Sequence, residues 1–184
     1  MSRVFVTSDT HFCWHDRDFV WAKRGFESVE AMNAAIIENW NSVVRPEDTV
    51  FLLGDVMLND NVEGVNCLEQ LNGDIFIAIG NHDTAERIEL YKQCCNVLEV
   101  EYAFRVKVGK QSIYLTHYPT KTSNCDGDKP LKARVINLCG HVHTNDPLIE
   151  LNNGELIYHC EMDAHNCTPV LLSDILDQIK EVCK

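Results

Sequence analysis

Short apolar runs and longer amphipathic stretches alternate along the first half of the chain. Three runs end in polar residues and have the form of fully buried strands: 4–8, 49–53 and 75–79. Three stretches carry apolar residues at helical spacing: 28–44, 62–71 and 84–94. Ser28 and Thr84 are suited to cap the first and third helices, and Pro46 ends the first. The alternation predicts a parallel sheet built from strand-helix-strand units.

The second half of the chain is richer in strands. Residues 102–108 and 112–116 flank Gly109-Lys110 and have the pattern of a β-hairpin. The remaining predicted elements are strands at 135–138, 148–151 and 156–159, a turn at 152–154 and a final helix at 172–182. The sequence contains no internal repeat and no linker. We therefore predict a single mixed α/β domain over residues 1–184.

Charge and cysteine content narrow the classes of protein that this sequence can be. The 184 residues include 16 Lys or Arg and 28 Asp or Glu, which gives a net charge of −12. Such an acidic chain is poorly suited to broad nucleic-acid binding, so an anionic substrate would need a local attraction. Nine cysteines without a C-x-x-C pair favour reduced thiols over a disulfide framework or a thiolate zinc site. Neither a signal peptide nor an apolar run of about 20 residues is evident, which predicts a cytoplasmic protein without a membrane segment.

Metal-binding side chains occur at five places, several of them directly after predicted strands. They are Asp9-Thr10-His11, Gly54-Asp55, Gly80-Asn81-His82-Asp83, His117 and Gly140-His141-Val142-His143. Carboxyl ends of parallel strands share one sheet edge, so these motifs are expected to converge on a single crevice. In an extended segment, D-x-H and H-x-H spacing would place both side chains on one face. Oxygen ligands mixed with imidazoles suit Mn, Fe, Zn or Co.

Glycine adds to the signal in the third motif. The pair Gly80-Asn81 favours a turn with positive φ, which would bring the backbone close to a ligand. Each short motif is common by itself, as a turn acid, a capped loop or a pair of surface histidines. The ordered set of five is far more specific, because five of the eight histidines fall within it.

The ordered set resembles the calcineurin-like metallophosphoesterase superfamily, whose motifs run D-x-H, G-D, G-N-H-[DE], H and G-H-x-H. The five motifs span residues 9–143. Further similarity, to small bacterial or phage phosphoesterases, lies in residues 9–12, 24–26 and 162–165. It implies two facing mixed β-sheets flanked by helices, an α/β/β/α sandwich. In such a fold, the strand-rich second half of the chain would supply the second sheet.

The resemblance also implies a dinuclear centre of two divalent ions, with Mn favoured over Fe, Zn, Ni or Co. The implied ligands are Asp9, His11 and His143 for one ion, Asn81, His117 and His141 for the other, and Asp55 as the bridge. His82 would contact the substrate phosphate, and Asp83 beside it would orient the His82 imidazole. Two such ions would activate a bridging hydroxide for in-line attack on phosphorus, while His82 stabilises the transition state or protonates the leaving oxygen.

Other residues are candidate substrate contacts. Arg24 carries a planar guanidinium suited to phosphate, the alternative being an ordinary surface arginine. His15 lies near the position of a family histidine, displaced by one inserted residue. Trp14 and Trp21 would either stack on a nucleobase or be buried in the core.

The sequence thus predicts a metal-dependent phosphohydrolase that cleaves a small, nucleotide-like phosphodiester. An acidic surface around two divalent ions favours small phosphate esters over long polyanions as partners. Three alternatives use the same fold. They are a phosphomonoesterase or protein phosphatase with the same metals, a nuclease, and a noncatalytic scaffold that has kept the site for docking.

Overall fold

The computed structural model describes residues 2–16, 20–122, 130, 133–150 and 156–183. In the first half of the chain, strands and helices alternate as predicted. The ten strands in these ranges are β1 (Val4–Thr7), β2 (Thr49–Leu52), β3 (Asp74–Ala78), β4 (Val97–Glu101), β5 (Ala103–Val108), β6 (Gln111–Thr116), β7 (Val135–Cys139), β8 (Leu148–Glu150), β9 (Leu156–His159) and β10 (Val170–Leu171). The α-helices described are α1 (Val29–Val43), α2 (Asn61–Glu69), α3 (Ala85–Tyr91) and α4 (Leu172–Val182). A short 3-10 helix spans Met162–His165.

The strands form two five-stranded mixed sheets. The first sheet has the order β10-β1-β2-β3-β4, with β1 to β4 parallel and β10 antiparallel to β1. The second has the order β5-β6-β7-β9-β8, with β6, β7 and β9 parallel and both outer strands antiparallel to their neighbours. Two mixed sheets with flanking helices match the predicted architecture, so the expected second sheet is confirmed.

The two faces of the first sheet contribute to two separate hydrophobic cores. On one face, Phe5 and Val50 belong to a core that includes Trp40 of α1. On the other face, Val6 and Phe51 belong to a core shared with the second sheet and with α4. Neighbouring residues of a strand point to opposite faces. Val50 and Phe51 are neighbours and both are buried, so β2 is covered on both faces. Burial on both faces explains why these strands appear in the sequence as continuous apolar runs.

Most predicted boundaries are confirmed. Ser28 and Thr84 cap α1 and α3 through their side-chain oxygens, and the final helix has the predicted bounds. Strands β4 and β10 were not predicted, because β4 is a largely exposed edge strand without alternation and β10 has only two residues. The predicted turn at 152–154 lies outside the described residues. Within the described part of the chain, no helix combines the length and apolar character needed to cross a membrane.

Five loops follow the carboxyl ends of parallel strands from both sheets. Strands β1, β2 and β3 lead into the loops of the first half, and β6 and β7 lead into those of the second. The loops are joined by their backbones: Asp9 N–H donates to the Gly54 carbonyl oxygen at 3.0 Å, and Gly140 N–H donates to the His117 carbonyl oxygen at 2.9 Å. The predicted motifs therefore meet at one edge that both sheets share.

Candidate metal centre

The first group of converging ligand atoms comes from Asp9, His11 and His143. Asp9 Oδ1 lies 3.5 Å from His11 Nε2 and 3.5 Å from His143 Nε2, and the two nitrogens are 3.1 Å apart. Asp9 Oδ1 is buried and has no hydrogen-bond partner among the described residues. Ligand atoms about 2.0–2.2 Å from a shared ion stand at about these separations from one another. The three residues therefore fit a divalent metal ion.

The second group of ligand atoms comes from Asp55, His117 and His141. Asp55 Oδ2 lies 3.5 Å from His117 Nε2, which is itself 2.8 Å from Asn81 Oδ1. The same carboxylate oxygen is 3.8 Å from His11 Nε2 in the first group. Asp55 thus stands between the two groups.

Unusual backbone conformations bring the ligands together. Five of the seven predicted ligands have positive φ: Asp9 (59°), His11 (49°), Asp55 (52°), His141 (78°) and His143 (54°). Left-handed backbone is disfavoured for residues with a side chain and concentrates at functional sites, where surrounding contacts hold it. The prediction that the D-x-H and H-x-H pairs lie in extended segments is therefore wrong. In each pair, both ligand residues have left-handed backbone.

Glycine allows the Gly54 and Gly80 loops to approach each other. Gly54 has φ +88°, and a Cβ there would lie 2.6 Å from Gly80 N. A Cβ on Gly80 would overlap the Asp55 carboxylate. The predicted positive φ at Gly80-Asn81 is wrong, because the left-handed residue is Gly54 and Gly80 is needed for space. Gly80 instead lies close to the Gly54-Asp55 loop, and the expected close approach of its backbone to a ligand stays a prediction.

Hydrogen bonds hold the ligands in orientation. Asp9 Oδ2 accepts from Ser8 Oγ and from His141 N–H (2.9 Å), which leaves Oδ1 for an ion. His117 Nδ1 donates to the Leu53 carbonyl oxygen at 2.8 Å. Since this proton occupies Nδ1, the Nε2 lone pair of His117 faces the site.

The two candidate ligand carboxylates differ in charge when no ion is bound. Burial opposes ionisation of Asp9, but the nearby His11 and the other histidines of the site outweigh burial and lower the pKa of Asp9 to about 2. Burial raises the pKa of Asp55 to about 7, against the opposing influence of His117. Burial also lowers the pKa of His11 to about 4, which keeps its imidazole neutral and able to bind a metal. Without an ion, Asp9 is therefore ionised near neutral pH, whereas Asp55 is partly protonated.

A cleft of about 360 Å³ opens over these ligands. His82 lines it, with its Nε2 3.9 Å from Asp55 Oδ2 and its side chain 35% exposed. Burial lowers the pKa of His82, and the negative charge of Asp83 only partly offsets this effect. The neutral imidazole can donate one hydrogen bond into the cleft. Two larger clefts, of about 670 and 550 Å³, lie away from the ligand groups, so size alone does not locate the site.

Asp83 does not orient the His82 imidazole, which corrects the catalytic role expected for it. Its buried carboxylate accepts four hydrogen bonds from other groups. These donors are the backbone N–H groups of Asp55, Val56 and Gly80 and the hydroxyl of Tyr91. Asp83 therefore joins the Asp55 and Gly80 loops and holds Asp55 in place.

Arg24 does not face the cleft as a phosphate ligand, which corrects its expected substrate contact. Its guanidinium donates to both carboxylate oxygens of Asp163, at 3.1 and 2.7 Å. It also donates to the carbonyl oxygens of Asp9 (2.7 Å) and Thr10 (3.2 Å). The planar guanidinium binds an oxyanion as predicted, but the oxyanion is a carboxylate of the protein.

His15 is exposed and lines a different cleft, so the structure does not bring it to the site. Trp14, the residue before it, lines the ligand cleft instead. The Trp14 ring lies 4.6 Å from the His11 ring and 5.3 Å from the His82 ring, centroid to centroid. Trp21 packs against the first core, which agrees with the alternative that the tryptophans are buried.

Asp163 is the functional residue that sequence reasoning missed. It lies in the 3-10 helix, lines the cleft and accepts from His143 Nδ1 at 2.9 Å. Although burial opposes its ionisation, the hydrogen bonds from His143 and Arg24 hold the pKa of Asp163 well below its usual range. Residues 162–165 resemble the calcineurin-like superfamily, but the sequence does not indicate that Asp163 pairs with His143 and Arg24.

Comparison with known proteins agrees with this geometry. A family model of the calcineurin-like phosphoesterase superfamily domain matches residues 2–159. The uncharacterized protein MJ1445 of Methanocaldococcus jannaschii is 44% identical over 85 residues, 45% of this chain and 48% of that protein. The Gene 66 protein of Mycobacterium phage L5 is 27% identical over 168 residues, 81% of this chain and 80% of that protein.

A solved structure has a similar fold. The protein of unknown function AQ665 from Aquifex aeolicus superposes with a TM-score of 0.70 at 21% identity, covering 97% of this chain and 100% of that chain. At that identity the likeness concerns the fold alone. The match to MJ1445 spans about half the length of that protein. Because the family model covers most of the sequence, the chain belongs to the calcineurin-like phosphoesterase superfamily.

Proposed function

We propose that the protein is a dinuclear metal-dependent phosphohydrolase that cleaves small phosphodiesters. The observation that supports this most strongly is the position of Asp55. Its Oδ2 atom faces His11 of one ligand group at 3.8 Å and His117 of the other at 3.5 Å. A single carboxylate between two sets of imidazoles is the arrangement that a two-ion phosphoesterase site needs.

In this proposal, each ligand group would hold one divalent ion. The first ion would be held by Asp9, His11 and His143, and the second by Asn81, His117 and His141, with Asp55 shared between them. The donor set of oxygen and imidazole atoms suits Mn²⁺, although Fe, Zn, Ni or Co would bind the same atoms. Bound ions would act as Lewis acids on the phosphate and lower the pKa of water.

The protein's own contribution to the reaction would come from His82. Its ring lies at the cleft, beside the shared carboxylate, and can donate to a phosphate oxygen or to the leaving oxygen. Trp14 lines the same cleft, with its ring against those of His11 and His82. A positioned donor of this kind contributes about 10²–10⁴-fold to a rate.

The charges around the cleft favour a diester over a monoester. Lys23 is the one lysine or arginine that lines it among the described residues. Arg24 donates to Asp163, and Arg87 donates to the His82 carbonyl oxygen at 2.6 Å and to Asn61 Oδ1 at 2.9 Å. Beyond the proposed metal ions, few cations of the described residues are directed at the cleft, which favours a singly charged diester over a doubly charged monoester.

The size of the cleft and the charge of the chain favour a small substrate. About 360 Å³ lies near the lower end of the range typical of small-molecule sites. The net charge of −12 repels long polyanions such as nucleic acids. We therefore propose a small, nucleotide-like diester as the partner.

Hydrolysis of two related chromogenic esters tests this proposal. Protein reconstituted with Mn²⁺ should cleave bis-p-nitrophenyl phosphate faster than p-nitrophenyl phosphate, and chelation should abolish both activities. Faster cleavage of the monoester would instead favour a phosphomonoesterase. Binding of two ions without hydrolysis of either ester would favour the noncatalytic scaffold.

A further inference from the structure

An acidic residue outside the predicted ligand set is bound to one of the ligand histidines. His143 Nδ1 donates to Asp163 Oδ2 at 2.9 Å, while His143 Nε2 faces Asp9 and His11. The carboxylate therefore sits on the side of the imidazole that faces away from the ligand atoms. A proton fixed on Nδ1 leaves the Nε2 lone pair directed at the ion position.

Asp163 is itself held by Arg24, whose side chain is 2% exposed. Arg24 Nε and Nη2 donate to the two carboxylate oxygens, so the carboxylate has little freedom to rotate. The remaining donors of Arg24 reach the carbonyl oxygens of Asp9 and Thr10. One guanidinium thus connects the loop that carries Asp9 and His11 to the carboxylate that holds His143.

The two imidazoles of this ligand group are supported unequally. His11 Nδ1 is buried and has no hydrogen-bond partner among the described residues. His143 is partly exposed at the cleft, with 23% of its side chain accessible, and has Asp163 as its partner. Among the described contacts of this group, His143 Nδ1 therefore has a carboxylate partner, whereas His11 Nδ1 has no acceptor.

We propose that Asp163 and Arg24 are a positioning pair that fixes the tautomer and orientation of His143 for the ion bound with Asp9 and His11. This inference rests on the metal site of the proposed function. In the proposed site, neither residue touches the reacting atoms. Their role is to raise metal affinity at one of the two ion positions and to leave the other unchanged.

Metal binding by variants at position 163 tests the proposal. Titration with Mn²⁺ alone, followed by calorimetry, should resolve two ions in the wild-type protein. In Asp163→Leu, one of the two should bind about 10- to 100-fold more weakly, which is the usual effect of losing the partner of a ligating histidine. Asp163→Asn retains an acceptor oxygen and should lose less affinity than Asp163→Leu.

The Arg3–Asp48 ion pair provides a matched control. Asp48 is 1% exposed and accepts from Nε and Nη2 of Arg3, the same two donors that Arg24 offers Asp163. Arg3 and Asp48 precede β1 and β2, at the end of the first sheet opposite to the ligand loops. Asp48→Asn should therefore lower stability without changing the affinity for either Mn²⁺ ion. If it weakens Mn²⁺ binding as much as Asp163→Asn does, general destabilisation explains the effect and the proposal is wrong.

The tautomer of His143 gives a readout that needs neither metal nor activity nor a folded variant. At alkaline pH, where imidazoles are neutral, nitrogen NMR of the metal-free wild-type protein should place the His143 proton on Nδ1. A proton on Nε2 would overturn the proposal.

The outcomes separate this inference from the proposed function. If the wild-type protein binds two Mn²⁺ ions and Asp163→Leu binds both equally well, the positioning role is wrong and the proposed function is unaffected. If the wild-type protein binds no Mn²⁺, both the metal site and the positioning role fail.

Discussion

The two ligand groups share a site but are prepared for metal in different ways. The Asp9 group contains a carboxylate with a pKa of about 2, and His143 in it is held by Asp163. The Asp55 group contains a carboxylate whose pKa burial raises to about 7, and His141 in it is exposed. The metal-free protein therefore presents an ionised carboxylate at the Asp9 group and a partly protonated one at the Asp55 group. If each group holds one ion, as proposed, we expect the Asp9 group to bind its ion first.

Removal of the Asp55 carboxylate should have the largest effect, because in the proposed dinuclear site this carboxylate is a ligand of both ions. Asp55→Asn takes the bridging charge from both ions, so we expect metal content and turnover to fall together to background. Metal analysis after desalting and a diesterase assay measure the two quantities. Asp74→Asn, an exposed acid at the start of β3, is the control. Full activity in Asp55→Asn would contradict the assignment of this residue.

Removal of the cleft histidine should separate catalysis from metal binding. His82→Ala should retain both ions but lose about 10²–10⁴-fold in kcat, the contribution of a positioned proton donor. His15→Ala is the matched control, since His15 is exposed and lies outside the cleft. If His82→Ala lost its ions as well, the histidine would belong to a ligand group.

Asp83 offers a way to loosen the Asp55 group selectively. Asp83→Ala leaves three backbone N–H groups and the Tyr91 hydroxyl without their acceptor. Each buried donor left unpaired costs about 1–3 kcal/mol of unfolding free energy, measured by urea denaturation. Mn²⁺ affinity should fall at the Asp55 group and remain at the Asp9 group. Tyr91→Phe removes one of the four bonds and should have a correspondingly small effect.

The raised pKa of Asp55 gives an expected effect that is confined to the metal-free protein and to a defined pH range. Its folded-state pKa of about 7 exceeds its ordinary value of 3.8, so the metal-free folded protein holds a proton that the unfolded chain has already released. Unfolding releases that proton, so Asp55 contributes a loss of stability to the metal-free protein as pH rises from about 4 to about 7. His11, whose folded-state pKa of about 4 lies below its ordinary 6.5, contributes a gain over much of the same range. Urea denaturation of the wild-type protein and of Asp55→Asn measures both slopes. Asp55→Asn should remove the loss and make stability rise more steeply with pH, and an unchanged slope in that variant would assign the titration to another group.

The sequence predicts the buried strands of the first sheet and misses its exposed edge strand. Strands β1, β2 and β3 are buried on both faces and appear as apolar runs, and the loops after them carry the ligand motifs. Strand β4 lies at a sheet edge with exposed side chains, so no periodic pattern marked it.

The site was predictable where ligands form short motifs and unpredictable where function depends on long-range contacts. Several of the site residues are one or two positions apart in the sequence, as in Asp9 and His11 or His141 and His143. Asp163 and Arg24 are 139 positions apart, and their pairing follows only from the meeting of the two halves of the chain. The role of Asp83 was misassigned because its neighbour in sequence is His82, whereas its partners in space include the Asp55 loop.

Dependence of diester hydrolysis on the number of bound ions tests the central claim most directly. Metal-free protein is titrated with Mn²⁺, and cleavage of bis-p-nitrophenyl phosphate is measured at each equivalent. A dinuclear centre with Asp55 as its bridge predicts little activity at one equivalent, full activity at two and no further increase. Full activity at one equivalent, or hydrolysis by the metal-free protein, would contradict the account.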